Sequence, residues 1–258
     1  MVGLALAQAS GACGAEKPIK ELILPGKAFL LEGRPAFIFL PPQDKRKRPQ
    51  PWVMYAPTLP GLPDVAEKWM HQQFLAAGIA VAGIDSGESY GSPHGQQKMT
   101  ALYNELTQHY DFSTTPVLLG RSRGGLFTLS WAIANPTKVA GLAGIYPVYD
   151  LRSYPGLVRA ATAYDLSTAE LENQLATYNP IAQGAVLAQQ RIPVCIIHGD
   201  HDAVVPLEHN SQALEVIYQS RQASDAFQLI IAKDQGHSYW PGFFRCQALI
   251  QFVQEHAP

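Results

Sequence analysis

Apolar residues fall into short continuous runs separated by stretches with helical spacing. Pro51–Trp52–Val53–Met54–Tyr55–Ala56, Ile79 to Ile84, Val117–Leu118–Leu119, Val139 to Ile145, Pro193 to Ile197 and Phe227 to Ala232 each read as a buried strand. Residues 64–77, 96–110, 206–220 and 242–256 carry apolar positions about one helical turn apart, as do Leu126, Phe127, Leu129, Ile133 and Ala134. The first of these helices should stop at Gly78, and the one after Gly125 near Asn135, because Pro136 disfavours helical geometry before it. Lys20 to Leu24, Lys27 to Leu31 and Arg34 to Leu40 look like short edge strands. Alternating buried strands and helices predict an α/β fold: a mostly parallel central sheet with helices on both faces.

The rhythm breaks once. About residues 147–191, with Pro147, Pro155 and a helical stretch near Ala169–Leu175, are too long for a simple crossover and read as a small helical insert over the sheet's C-terminal edge. Residues 18–258 are then one domain. Residues 1–17 are set aside: Val2 to Ala15 is uncharged and mildly apolar, compatible with the tail of an export signal, but it lacks a basic start, and a cytosolic tail fits as well.

Composition narrows the function classes. The 258 residues are 47% hydrophobic and 16% charged, with a formal net charge of −2, which gives no electrostatic case for nucleic acid. The basic run Lys45–Arg46–Lys47–Arg48 lies between prolines and reads as a solvated hairpin loop. Cys13, Cys195 and Cys246 have neither metal-ligand spacing nor a disulfide framework; Cys195 reads as a core residue. No stretch is long and apolar enough to span a membrane. No metal or cofactor is called for.

The chemistry centres on Gly120–Arg121–Ser122–Arg123–Gly124, between the strand at Val117 and the next helix. In that context G-x-S-x-G marks a strained turn that exposes a serine, and side chains two residues either side of it would collide with the flanking elements. A serine hydroxyl needs a base, and the base an orienting carboxylate. His198–Gly199–Asp200–His201–Asp202 leaves one buried strand, and Gln235–Gly236–His237–Ser238 follows the last. Ser122, Asp202 and His237 therefore lie just past strand ends, where open α/β sheets gather ligands. Competing readings stand beside these roles. Ser122 could be a plain turn serine and His237 a surface histidine; Asp200 could replace Asp202, though it suits turn support better. His198 reads as a satisfied, partly buried histidine, and the His198–His201 cluster lacks remote partners for a metal.

An oxyanion site would draw on the Arg123 backbone N–H and on the loop after Tyr55, with Leu59 or Thr58 as the second donor. Glu88, Tyr90, Ser92, Tyr146, Tyr239 and Trp240 are candidate pocket residues. Two readings of Arg123 remain open: pairing with Glu88 or Asp85, or pointing into the pocket. Arg121 should lie under the site, with Glu88 or Asp150 as its partner.

LLGRSRGGL at 118–126, HGDHDAVVP at 198–206 and QGHSYW at 235–240 together resemble the α/β-hydrolase superfamily, and within it the prolyl-oligopeptidase-like and carbohydrate-esterase-like serine hydrolases. The resemblance runs from about residue 20. It implies nucleophile Ser122, acid Asp202, base His237 and oxyanion donors at Arg123 and Leu59. Two features depart from it. Ala56–Pro57–Thr58 replaces the usual His-Gly after the third strand, and the chain leaves no room for the propeller domain of the peptidases. The arginine beside the nucleophile also resembles glucuronoyl esterases. The expected activity is a cofactor-free serine carboxylesterase acting on a small-molecule ester, an acylated carbohydrate or an aryl ester. A single-domain peptidase, a lactone hydrolase and an inactive binding module of the same fold are the alternatives.

Overall fold

The computed structural model describes residues 19–258; Cys13 and the 1–17 segment lie outside them. The elements run β1 (Lys27–Leu31), β2 (Arg34–Phe39), β3 (Trp52–Ala56), α1 (Lys68–Ala76), β4 (Ala80–Ile84), α2 (Pro93–His109), β5 (Val117–Arg121), α3 (Gly124–Ala134) and β6 (Gly141–Ile145). The insert holds α4 (Leu157–Ala163), α5 (Thr168–Asn173), α6 (Leu175–Tyr178) and α7 (Ala185–Gln189). The chain closes with β7 (Val194–Gly199), α8 (Ser211–Ser220), β8 (Phe227–Ala232), α9 (Pro241–Phe244) and α10 (Gln247–His256).

One eight-stranded sheet has the order β1-β2-β4-β3-β5-β6-β7-β8. β1/β2 and β2/β4 pair antiparallel; every other pair is parallel. The period-two alternation of strand side chains divides the core between the two faces. Trp52, Met54, Leu118 and Ile196 pack on the side of α2 and α3, while Val53, Tyr55, Leu119 and Ile197 pack on the side of α1 and α10. The strands from β3 to β8 share a direction, so their C-terminal ends form one edge.

Several sequence expectations change. Lys20 to Leu24 is not a strand: Leu22, Ile23 and Leu24 pack onto the core cluster of the α1 face, and the Lys20 amine donates to the Leu59 carbonyl at 2.9 Å. The basic run is not a hairpin loop, because β2 pairs with β1 and β4 and never with β3. It begins as a short 3-10 turn at Gln43–Lys45 and leads across the sheet. The helix expected over 206–220 begins at Ser211, and that over 242–256 divides around Cys246, whose extended backbone caps α10.

The insert packs alongside α3. Its Ala160, Tyr164, Leu171 and Leu187 belong to the core cluster on that face. Buried Asn210 ties it down through Oδ1, which accepts the N–H groups of Tyr149 and Asp150 at 2.7 and 3.0 Å. Asp150 is engaged within the insert, accepting from Asn179 Nδ2 at 2.7 Å.

His71 on α1 is fully buried against Phe39, Tyr55 and Phe74, and among the described residues neither ring nitrogen has a hydrogen-bond partner. Burial pushes its pKa down to about 3, with Asp64 opposing. The folded ring is neutral where the unfolded one would already be charged. Its contribution to stability is therefore present above about pH 6.5 and is lost as pH falls toward the depressed folded value. His71→Phe should flatten the loss of stability between about pH 6.5 and pH 4, read by urea denaturation at stepped pH; an unchanged slope would refute the assignment.

Candidate active site

The site is built at the end of β5. Ser122 takes φ 51°, and its N–H donates to the Ile145 carbonyl of the neighbouring strand at 2.9 Å. The turn closes at once into α3. A Cβ on Gly120 would come within 3.0 Å of the Gly125 Cα, and one on Gly124 within 2.1 Å of the Ala56 carbonyl oxygen. Those contacts explain glycine two residues either side of the serine: backbone passes where side chains would stand.

Three strand ends then meet. Ser122 Oγ lies 2.9 Å from His237 Nε2, and His237 Nδ1 lies 2.7 Å from Asp202 Oδ2. The other carboxylate oxygen, Oδ1, accepts the N–H groups of Val204 and Val205 at 3.0 and 2.8 Å. Burial acts to raise the Asp202 pKa, but hydrogen bonds from His198, His237 and Val205 outweigh it and hold the carboxyl far below its usual range. Asp200 supports the turn instead, accepting the Asp234 N–H at 2.7 Å. His198 is wholly buried; Nε2 donates to the Val205 carbonyl at 2.9 Å and Nδ1 meets Ser211 Oγ at 2.6 Å. Among the described residues, no cluster of His, Cys, Asp or Glu could hold a metal.

The two arginines flanking Ser122 go separate ways. Arg121 is 6% exposed and lies beneath the site. Its Nη1 donates to Asp64 Oδ2 and Glu67 Oε2, both at 2.9 Å, and its guanidinium sits 5.0 Å from the ring centres of both Tyr239 and Phe244. Its partners are thus not Glu88 or Asp150, which are occupied elsewhere. Arg123 is partly exposed and pairs with Glu88. Arg34 takes Asp85. Tyr146 bridges these layers. Its ring packs 4.3 Å from that of His237, its hydroxyl accepts from Arg121 Nε at 3.3 Å, and burial pushes its pKa up to about 12.

A cavity of about 180 Å³ opens over Ser122, lined by Pro57, Leu62, Arg121, Arg123, Tyr146, His237, Ser238 and Tyr239. It adjoins a groove of about 740 Å³ through the shared residues Leu62, Arg123 and Tyr239. Leu59 and Glu88 line that groove. Thr58 is buried, with its side chain turned to the Tyr55 carbonyl and a separate small cleft. Ser92 is buried as the cap of α2. Tyr90 and Trp240 line neither space: the Tyr90 carbonyl accepts from Tyr164, and the Trp240 indole covers Gly242 and Phe243. Pro57, Leu62, Asp64, Glu67 and Ser238 complete the site without having been foreseen. Asp64 and Glu67 had one sequence signal, two acids three apart at a helix start.

Fold and site define a class: the chain has the α/β-hydrolase fold, with a Ser–His–Asp arrangement of the kind serine hydrolases carry. The prolyl oligopeptidase family pattern matches residues 94–255, a stretch containing Ser122, Asp202 and His237, and the chain belongs to that family. Dipeptidyl peptidase 4 of Porphyromonas gingivalis superposes with a TM-score of 0.69 at 17% identity; the match covers 90% of this chain and 35% of the peptidase. Est1E from Butyrivibrio proteoclasticus gives 0.66 at 18%, covering 90% of this chain and 98% of Est1E. MPT51 of Mycobacterium tuberculosis gives 0.68 at 13%, covering 91% of this chain and all 100% of its own. These likenesses are of fold. No curated protein matches the sequence.

Arg121→Met would leave buried Glu67, and half-buried Asp64 beside it, without their cation. It should destabilise the protein by about 3–5 kcal/mol in urea denaturation, with Arg121→Lys intermediate; wild-type stability in the methionine variant would show the pair to be unimportant.

Proposed function

We propose that the chain is a serine carboxylesterase working through an acyl-enzyme. The observation that carries this reading is the hydrogen-bonded relay from Ser122 Oγ through His237 to Asp202. Ser122 attacks the ester carbonyl as His237 Nε2 takes its proton. Asp202 holds the imidazole in orientation and stabilises the imidazolium. The tetrahedral intermediate collapses as His237 gives the proton to the departing alcohol oxygen, leaving the acyl group on Ser122. Water, deprotonated by the same nitrogen, then releases the acid.

The developing oxyanion falls to backbone donors. Among the described residues, the Arg123 N–H has no hydrogen-bond partner, and neither do those of Thr58 and Leu59. Arg123 is the first donor, by its place after the nucleophile, and the Thr58–Leu59 stretch supplies the second. Pro57, which lines the cavity directly, has no N–H to give. An ester asks less of this arrangement than an amide, because an alkoxide is a far better leaving group than an amide anion and depends less on protonation by the acid. The pocket's polar and aromatic walls suit an acylated carbohydrate or an aryl ester.

Family membership supports a second reading, amide hydrolysis by the same residues. Two measurements separate them. Wild-type protein should hydrolyse p-nitrophenyl acetate and leave aminoacyl anilides untouched; the reverse preference would make it a peptidase. A fluorophosphonate should label wild-type protein but not Ser122→Ala. Asp202→Asn should lower turnover by about three to four orders of magnitude while Asp200→Asn spares it, and the opposite pattern would move the acid to Asp200.

A further inference from the structure

The groove beside the Ser122 cavity is lined by two arginines, Arg34 and Arg123, and three carboxylates, Asp64, Asp85 and Glu88. Asp64 is taken by Arg121 beneath the groove floor. The remaining two carboxylates match the two arginines as pairs, Arg34 with Asp85 and Arg123 with Glu88. The lining is thus neutral on balance yet dense in hydrogen-bonding groups. A free anion would have to displace Glu88 or Asp85, and a free amine would have to displace an arginine. A hydroxyl has no such cost, since it donates to a carboxylate oxygen and accepts from a guanidinium N–H at once. Asp85 Oδ2 and Glu88 Oε2 accept no hydrogen bond among the described residues. Both residues line the groove and keep acceptor capacity to spare.

The rest of the groove adds an apolar platform. Leu62 lines it, and the Tyr239 ring, 67% exposed, stands at the junction with the Ser122 cavity. An aromatic face beside paired donors and acceptors fits a ring with C–H groups on one side and hydroxyls around its edge. The volume of about 740 Å³ falls within the range of small-molecule sites, about 300–1,000 Å³.

We propose that this groove is the subsite for the alcohol half of the ester, and that it takes a neutral, polyhydroxylated alcohol, a sugar, held by the Arg34–Asp85 and Arg123–Glu88 pairs with Tyr239 beneath its ring. The proposal rests on the ester reading above and assigns a side to each half of the substrate. A small acyl group occupies the tight cavity at Ser122, and the sugar lies in the wider groove. The shared residues Leu62, Arg123 and Tyr239 mark the boundary between them.

The test compares kcat/KM for acetylated xylobiose with that for p-nitrophenyl acetate, in wild-type protein, Glu88→Gln and Arg34→Met. The ratio of the sugar ester to the aryl ester should fall about tenfold in each variant, carried mainly by KM for the sugar ester. Free xylobiose should inhibit p-nitrophenyl acetate hydrolysis competitively in wild-type protein, with weaker inhibition in Glu88→Gln. A ratio unchanged in both variants, or no inhibition by xylobiose, overturns the groove assignment while the ester reading stands. Cleavage of neither ester by wild-type protein overturns the ester reading and the groove with it. Faster cleavage of an aminoacyl anilide than of either ester gives the groove to peptide and also overturns the proposal.

Discussion

The buried guanidinium of Arg121 sets the positions of the loops around Ser122. Taking a cation out of water costs several kcal/mol unless carboxylates with good geometry repay it. Asp64 and Glu67 do so from the entrance of α1, at 2.9 Å each. Glu67 is 1% exposed, and its pKa is raised, by burial first, even though Arg121 opposes that rise. Two carboxylates therefore converge on one cation, Glu67 from a buried position and Asp64 from the groove wall. The same guanidinium lies 5.0 Å from the centres of both the Tyr239 and Phe244 rings and donates to Tyr146. One side chain thus joins the end of β5, the loop leading to α1, the residue after β6 and the segment that follows His237. The loop between Ala56 and Asp64, which carries the candidate second oxyanion donor, has its far end fixed by charge. Lys20 fixes it again through the Leu59 carbonyl.

A second division of labour runs along β7. Two histidines approach the same carboxylate, but their partners differ. His198 is enclosed, bonded to Ser211 and to the Val205 carbonyl, and stands 3.5 Å from Asp202 Oδ2. It holds the turn whose N–H groups hold Asp202. His237 is partly open and lines the cavity. The carboxylate accordingly has one oxygen committed to backbone and the other to His237, so its rotation is set before any substrate arrives. Tyr146, packed on the His237 ring and edge-on to Phe243, restrains the other end of that hydrogen bond.

What was legible in the sequence follows from how each feature is encoded. The strands of β3 to β8 are written as local apolar runs, and all six were readable. That Ser122, Asp202 and His237 meet in space was readable because each stands just past a strand end, and a parallel sheet turns that into proximity. Edge geometry is encoded less clearly: Lys20 to Leu24 has a strand's composition but packs its apolar side chains onto the core instead of pairing with β1. Long-range charge pairing has no local period at all. Glu88 is a sequence-level candidate partner for Arg123, but no local pattern links Arg121 to Asp64 and Glu67, more than 50 residues away. Loop side chains form a third category. Thr58, Ser92, Tyr90 and Trp240 were placed near the correct edge, yet which way each points depends on capping and packing. Ser92 caps α2, and Trp240 folds onto Gly242.

The two arginines around the nucleophile show why sequence proximity is a poor guide to role. They are two residues apart, yet Arg121 ends a strand and faces the α1 layer, while Arg123 opens α3 and faces solvent and groove. Their side chains are 8% and 30% exposed. Neither presents an unpaired positive charge to Ser122. Arg123 is neutralised by Glu88, and a paired guanidinium at a solvated mouth contributes less to a developing oxyanion than its formal charge suggests. On the proposed ester reading, stabilisation of that charge falls to fixed backbone dipoles at the start of α3, which need no countercharge and no reorganisation. The arginines are better understood as placing the machinery, Arg121 by holding the loops and Arg123 by shaping the wall between the cavity and the groove.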